Sequence, residues 1–271
     1  MKRIITLALA LAMLLVATLS FTACGQTDDW KTVEDRGYFY CGITVYAPMN
    51  YYDDDGNLVG FDTEFATAVA EYLGVEAKFT TISWPNKYAE LESGAIDLIW
   101  NGFTYGEEKN GVSRTEYVDF TYAYLENRQC LVTKADRVAE LNSADALKGK
   151  NAVAEGGSSG EALAVTLTDE DKVTTFTSQA NALMEVKAGN ADFAIIDYQM
   201  ANAMVGQGDY ADLTINEAIN PESEVYAIGC RKGSTLTAKI NEAIVALYEN
   251  GTLAKLAEKY GLSNDPVTEF K

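Results

Sequence analysis

The 271-residue chain contains no histidine. That absence removes a Ser-His-Asp triad, a histidine general base and histidine-ligated zinc from consideration. Proline is nearly absent too, and four prolines cannot make a proline-rich stalk or linker. Basic residues are scarce, with 21 Lys and Arg against 40 Asp and Glu, for a formal net charge of -19. A surface of that sign repels a phosphate backbone, so no nucleic-acid partner is expected. Cysteine is limited to Cys24, Cys41, Cys130 and Cys230, with no CxxC spacing, so metal binding and thioredoxin-like chemistry have no support. The remainder is ordinary for a globular protein. Hydrophobic residues make up 48% and charged residues 23%, which excludes disorder and fibrous repeats. The length suits one large or two ordinary domains, at roughly 100–200 residues each.

The first residues read as an address. Lys2 and Arg3 precede an apolar run from Ile4 to Val16, and Phe21-Thr22-Ala23 leads to Cys24. A basic start, a short apolar core and small residues at its end predict a signal peptide over residues 1–23. A membrane-spanning helix would need ~20 apolar residues, more than this run supplies. Cys24 resembles the lipid-bearing cysteine of the bacterial lipoprotein lipobox, although Phe21 departs from the small aliphatic residue of that pattern. Residues 24–36 are then expected to form a lipidated tether. An exported setting permits a disulfide among Cys41, Cys130 and Cys230, but buried free thiols are the simpler reading.

Short apolar runs alternate with amphipathic stretches, the pattern of an α/β fold. Strands are expected at Ile43–Val45, Phe79–Ile82, Ile96–Trp100, Gln129–Val132, Ala152–Ala154, Phe193–Ile196 and Val225–Cys230. Helices are expected from Asp62, as N-cap, to Gly74, then at Tyr88–Leu91, Ala180–Lys187, Ile240–Leu247 and Leu253–Tyr260. The turn Asp53-Asp54-Asp55-Gly56-Asn57 mimics a calcium loop, with Asp53, Asp55, Asn57 and Glu64 at ligand spacing. Leu58 occupies the place where such a loop needs glycine, so no metal site is assigned. The two halves also rhyme. Ser93-Gly94-Ala95-Ile96-Asp97 and Ala188-Gly189-Asn190-Ala191-Asp192 each link a helix end to an apolar strand, which favours two similar lobes over one large sheet.

Six blocks in order carry a family resemblance. They are Tyr46-Ala47-Pro48, Gly60-Phe61-Asp62-Thr63-Glu64-Phe65, Ser93 to Asp97, Val118-Asp119-Phe120-Thr121, Leu147-Lys148-Gly149-Lys150 with Gly157-Ser158-Ser159, and Ala191 to Asp197. Together they resemble the bacterial extracellular solute-binding proteins of family 3, which serve polar amino-acid uptake. The resemblance implies a type II periplasmic-binding fold, with two α/β lobes joined by a two-strand hinge. The implied division is 37–124 for the first part of lobe 1, 125–228 for lobe 2, and 229–271 for the rest of lobe 1 and a tail. The crossings are expected near Tyr122–Tyr124 and Tyr226–Cys230.

The resemblance also implies a site. An amino acid carries a carboxylate and an ammonium, and each needs an opposite charge when the lobes close around it. Arg114, six residues before Phe120, matches the family arginine that takes the carboxylate, and its planar fork suits that group. Counting forward from Gly102-Phe103-Thr104 without a gap lands instead on Lys109, so the stretch Gly106 to Ser113 reads as an insertion and Lys109 stays a rival. Asp197, at the carboxyl edge of its strand, matches the ammonium partner; a helix N-cap is the plain alternative. Ser158 and Ser159 open a helix whose N–H groups favour an anion. Asn101, Gly102 and Thr104 match ligand-bonding positions, and Tyr46 and Trp84 match aromatic walls. Trp100 faces the opposite way from Asn101 and is assigned to the core. Glu155 lies next to the serine loop and could tune a basic side chain, but a salt-bridged surface carboxylate is the plainer reading.

The expectation is thus an extracellular receptor that captures a free amino acid by hinge closure and delivers it to an ABC permease with its ATPase. It would be a monomer without cofactors, held by its lipid on the outer face of the cell membrane (the periplasmic side where an outer membrane exists). Two rivals are an exported enzyme resembling cyclohexadienyl dehydratase and a sensor for a separate signalling partner. The enzyme would need an aligned acid or base, and the site blocks contain no evident carboxylate pair.

Overall fold

The structure is a computed structural model that describes residues 28–109 and 111–262. The signal peptide, Cys24 and the tail beyond Leu262 lie outside the described residues. The stretch expected as a tether differs from that expectation, because Asp29–Arg36 forms a helix. Asp28 caps it by accepting from the Lys31 amide, and Val33 anchors it in the core. Trp30 donates its amide to Thr235 Oγ1 at 3.0 Å, which ties this helix to the far end of the chain.

Two sheets organise the rest, as expected for two lobes. In the first, strands run in the order Glu76–Thr81, Tyr38–Ile43, Leu98–Ile99, Gly229–Arg231, Val118–Phe120. The first three are parallel, and Gly229–Arg231 is antiparallel to both its neighbours. In the second the order is Val173–Phe176, Ala152–Glu155, Phe193–Asp197, Leu125–Lys134, Leu213–Asn216. Again the first three are parallel, and the long Leu125–Lys134 strand runs against them. Ser223–Tyr226 also pairs with that long strand. The chain therefore leaves the first sheet after Phe120, enters the second at Leu125, and returns between Tyr226 and Gly229.

Several elements depart from the expected limits for identifiable reasons. The expected single strand Val225–Cys230 is two strands in two sheets, because the apolar run continues unbroken through the crossing. The first strand lies upstream, at Tyr38–Ile43, and Thr44–Val45 already belong to the turn that delivers Tyr46. Asp62 does not cap its helix. The helix starts at Phe61 with Gly60 as N-cap, and the Asp62 carboxylate accepts from the Gly102 amide at 2.8 Å. Phe61, Phe65, Ala66, Val69 and Ala70 bury one face of this helix. Phe65 meets Trp100 edge-on at 5.3 Å, which places Trp100 in the core as read from strand alternation. Asp53 is consumed locally, accepting from the Asp55 and Asn57 amides, and Glu64 pairs with Lys259. Cys41, Cys130 and Cys230 are buried free thiols.

The hinge is more than two bare crossings. Thr121 donates its amide to Ile228 O, and Tyr124 donates to Tyr226 O, both at 2.9 Å. The segment after Leu98–Ile99 joins them, with Ala227 N bonding Phe103 O at 3.0 Å and Tyr105 N bonding Val225 O at 2.9 Å. The loop that carries Gly102 and Thr104 is thus laced to the return crossing.

Candidate functional site

The carboxyl ends of the parallel strands in both sheets face one cleft across the hinge, where open α/β sheets place their ligands. Ten residues line its deepest part: Trp84, Asn101, Gly102, Thr104 and Arg114 from lobe 1, and Glu155, Ser158, Ser159, Gln179 and Asp197 from lobe 2. Eight of the nine residues expected in the site are among them. The lobes stand closed, leaving a space of about 10 Å³. A single water needs roughly 10–15 Å³, so a ligand enters only when the hinge opens. A larger cavity of about 610 Å³ adjoins this space and shares Arg114 and Ser158 with it.

The lobe 1 side chains are largely braced by their own lobe. Asn101 accepts from the Thr44 hydroxyl at 2.7 Å and donates to Thr44 O at 3.0 Å and Asn50 Oδ1 at 2.7 Å. Its amide holds the Tyr46 turn in place rather than standing free. Gly102 has φ 54, and a Cβ there would lie 2.8 Å from the Tyr46 ring and 3.1 Å from that of Tyr226, so only glycine fits. Tyr46 is the one expected site residue outside the deepest part. Its hydroxyl meets that of Tyr226 at 2.8 Å, and the ring packs at the hinge. Arg114 is buried beneath the cleft floor, donating to Thr104 O at 3.0 Å with its guanidinium 4.8 Å from the Phe103 ring centre. Burial lowers its pKa, and the nearby Tyr88, Glu107, Glu224 and Asp197 oppose the shift. Lys109 lies elsewhere. It sits on the Glu108–Lys109 and Val112–Ser113 hairpin, half-exposed, and pairs with Glu161 of lobe 2 at 2.8 Å.

Lobe 2 presents acid. Asp197 is buried and receives three side-chain amides, from Asn127 at 2.8 Å, Gln129 at 2.6 Å and Gln179. It stands at the N-cap position of the helix that follows, but its side chain makes no capping bond and is taken up by the amides instead. Asn127 and Gln129 also donate to Glu224, at 2.5 and 2.9 Å, so two carboxyls share two donors. Folding thereby creates the carboxylate pair that was not evident in the motifs. Burial and the neighbouring Asp197 raise Glu224 to about 7. Burial likewise raises Asp197, opposed by its amide donors. Glu155 corrects the sequence reading. It is 3% exposed and makes no ion pair among the described residues, and burial with Asp197 alongside lifts it to about 8.

Ser158 caps the Ser159–Leu167 helix, accepting from Glu161 N at 3.1 Å and donating to Glu155 O at 2.7 Å. Ser159 reaches across the cleft and donates to Thr104 Oγ1 at 3.1 Å, and Thr104 in turn donates to Glu224 at 3.1 Å. Gly160 lets this helix approach the sheet, since a Cβ there would lie 2.6 Å from Ile195 O. Lys87 also crosses the lobes, donating to Gly157 O at 3.0 Å, and burial beside Arg114 brings it down to about 7.

Sequence reasoning missed Asn127, Gln129, Gln179, Glu224 and Lys87. Little in the sequence signalled the first two: Asn127 and Gln129 stand in the polar run Glu126-Asn127-Arg128-Gln129, and only the fold shows that these two are buried.

Comparisons with known proteins show the family and the fold. Residues 41–263 match the model of the bacterial extracellular solute-binding proteins, family 3. The chain is 30% identical over 254 residues to the L-cystine-binding protein TcyJ of Escherichia coli K12, covering 92% of each. It is also 30% identical over 253 residues to the arginine-binding extracellular protein ArtP of Bacillus subtilis, covering 92% of this chain and 96% of that one. Among solved structures, a histidine-bound substrate-binding protein of an ABC uptake transporter from Streptococcus pneumoniae superposes with a TM-score of 0.79 at 31% identity. That alignment covers 90% of this chain and 99% of the other.

Proposed function

This chain belongs to the bacterial extracellular solute-binding proteins of family 3, and from that premise we propose how its cleft works. The protein captures a free amino acid between its lobes by hinge closure and delivers it to an ABC importer. Arg114 takes the ligand carboxylate, and Asp197, backed by Glu224, takes the ammonium. Trp84, Asn101, Gly102, Thr104, Ser158 and Ser159 complete the enclosure, with Tyr46 setting the hinge side. The observation that carries this reading is that a buried cation from one lobe, Arg114, and two buried carboxyls from the other, Asp197 and Glu155, line the same closed space. Opposite charges at its two ends fit a zwitterion and offset the desolvation that closure imposes.

Lys109 is the weaker candidate for the carboxylate because its ammonium is already engaged by Glu161 at the cleft mouth. Calorimetry separates the two. Arg114→Ala should abolish detectable amino-acid binding while Lys109→Ala keeps it, and the reverse result would reassign the carboxylate partner. Asp197 and Glu224 are held by side-chain amides, an arrangement that serves a bound ammonium, and no bond is made or broken in this reading. The same reading extends to a monomer exported by residues 1–23 and anchored by lipid on Cys24 to the outer face of the cell membrane. Labelling with a radioactive fatty acid that Cys24→Ser fails to remove would rule the anchor out.

A further inference from the structure

We infer that Glu155 sets the specificity of this cleft, and that the ligand it selects carries a cationic side chain ending in an ammonium or guanidinium group. The inference rests on the amino-acid-capture reading and goes further by naming the ligand class. The three relatives above are named for cystine, arginine and histidine, so kinship alone does not choose among ligands.

Glu155 closes the Ala152–Glu155 strand, the parallel neighbour of Phe193–Asp197, so both acids stand at one sheet edge and line one space. Their surroundings differ. Asp197 receives three amide donors, whereas Glu155 Oε1 is fully buried and accepts no hydrogen bond from any described residue. A buried carboxyl oxygen without a donor is costly, and native interiors rarely leave one so. Lys87, Thr44 and Gln179 partly offset the burial of this carboxyl, but none donates to Oε1, and the Lys87 ammonium is directed to the carbonyl oxygens of Trp84 and Gly157.

A bound zwitterion spends its two charges on Arg114 and Asp197 and offers nothing to Glu155. A neutral side chain would leave this carboxyl enclosed without a counter-charge. An acidic one would add a second like charge beside it. A cationic side chain gives Oε1 its donor and the carboxyl a directly paired charge, and a guanidinium can do so with two parallel bonds. Trp84 lines the same space, and an indole face is a favourable neighbour for a cation.

The test compares shape-matched ligands by calorimetry on the purified protein. L-arginine should bind at least about thirty-fold more tightly than L-citrulline, or L-lysine than L-norleucine, as expected for one buried charge pair. In Glu155→Gln that ratio should shrink to within about five-fold, with binding of the neutral ligand retained, because the amide keeps the shape and removes the charge. A wild-type preference for citrulline, glutamine or cystine overturns the inference, as does an unchanged ratio in Glu155→Gln. The wild-type ratio decides the question even if the variant is unstable. Binding of no amino acid at all would bring down the capture reading itself, an outcome distinct from binding of neutral ones only.

Discussion

The two lobes share a framework and differ in what they bring to the cleft. In each, a glycine-turn-aspartate step leads into a central strand, and the aspartate staples that strand to its surroundings. Asp97 accepts from Tyr40 N at 2.8 Å and pairs with Arg36 and Arg231; Asp192 accepts from Asn151 N at 2.7 Å and pairs with Arg137. The staples share a design, whereas the cleft-facing groups do not. Lobe 1 offers a platform whose polar side chains are satisfied at home, such as Asn101 bound to Thr44 and Asn50. Lobe 2 offers Asp197 held by neutral amides and Glu155 with one oxygen that accepts from no described residue, which on the proposed reading a bound cation completes. Rigidity on one side and unmet charge on the other give hinge closure both its template and its selectivity.

The staples provide the sharpest way to break this comparison. Asp97 is deeper, with its side chain 5% exposed against 18% for Asp192, and it neutralises two arginines rather than one. Asp97→Ala should destabilise by about 3–5 kcal/mol, the cost of leaving buried partners unpaired. Asp192→Ala should cost about 1–2 kcal/mol. Urea denaturation of the two variants measures both. Equal losses, or a larger one at Asp192, would mean that the repeated motif does not scale with burial in the way the two environments require.

A second contrast lies between carboxyls buried for structure and those buried for ligand. Asp62 in lobe 1 is fully buried near Trp100 and Tyr124, accepts from Gly102 N, and is raised by burial to about 7. Its folded pKa thus exceeds the unfolded value of about 3.9, so the native state holds the proton longer and stability falls as pH rises from about 4 to 7. Asp62→Asn mimics the protonated form. Relative to that variant, the wild type should lose on the order of 4 kcal/mol across this window. Glu155, raised to about 8, should act in the same direction. Saturating ligand should cancel the Glu155 contribution and leave that of Asp62 intact. Parallel stability curves for wild type and Asp62→Asn, followed by thermal denaturation from pH 4 to 8, would refute the assignment.

These contrasts also explain what could be read from the sequence. The two-lobe fold was legible because it rests on repeated local patterns, and the Ser93–Asp97 and Ala188–Asp192 steps carry the same turn and strand. Asp197 and the glycine-serine loop could be placed at the cleft because they sit inside contiguous motifs, Arg114 by its distance from one, and Trp84 by resemblance alone. Glu224, Gln179 and Lys87 were not, because they reach the cleft from three separate elements and only the fold unites them. Glu155 was visible but misjudged. A charged residue at a strand end looks solvent-facing until the opposite lobe covers it. Asp62 misled in a related way, since an Asp at a helix start normally caps it, whereas here the Gly102 amide claims the carboxylate.

The smallest effect concerns a place where lobe 1 supplies the cation at the surface and lobe 2 the anion. Lys109 stands on the hairpin of Glu108–Lys109 and Val112–Ser113 and meets Glu161, which also accepts from Gly157 N at 2.6 Å, so the pair bridges the cleft mouth to the loop that carries Ser158. Its lysine side chain is 50% exposed, and water and salt screen the attraction. Lys109→Ala should therefore weaken ligand binding less than about five-fold, within the 0.2–1 kcal/mol typical of exposed pairs, and the difference should vanish in high salt. Dissociation should quicken rather than association slow, because the contact forms only once the lobes have closed. Stopped-flow measurement of both rates at low and high ionic strength distinguishes these. A loss as large as that of Arg114→Ala would mean that the mouth, and not the buried charges beneath it, holds the closed state together.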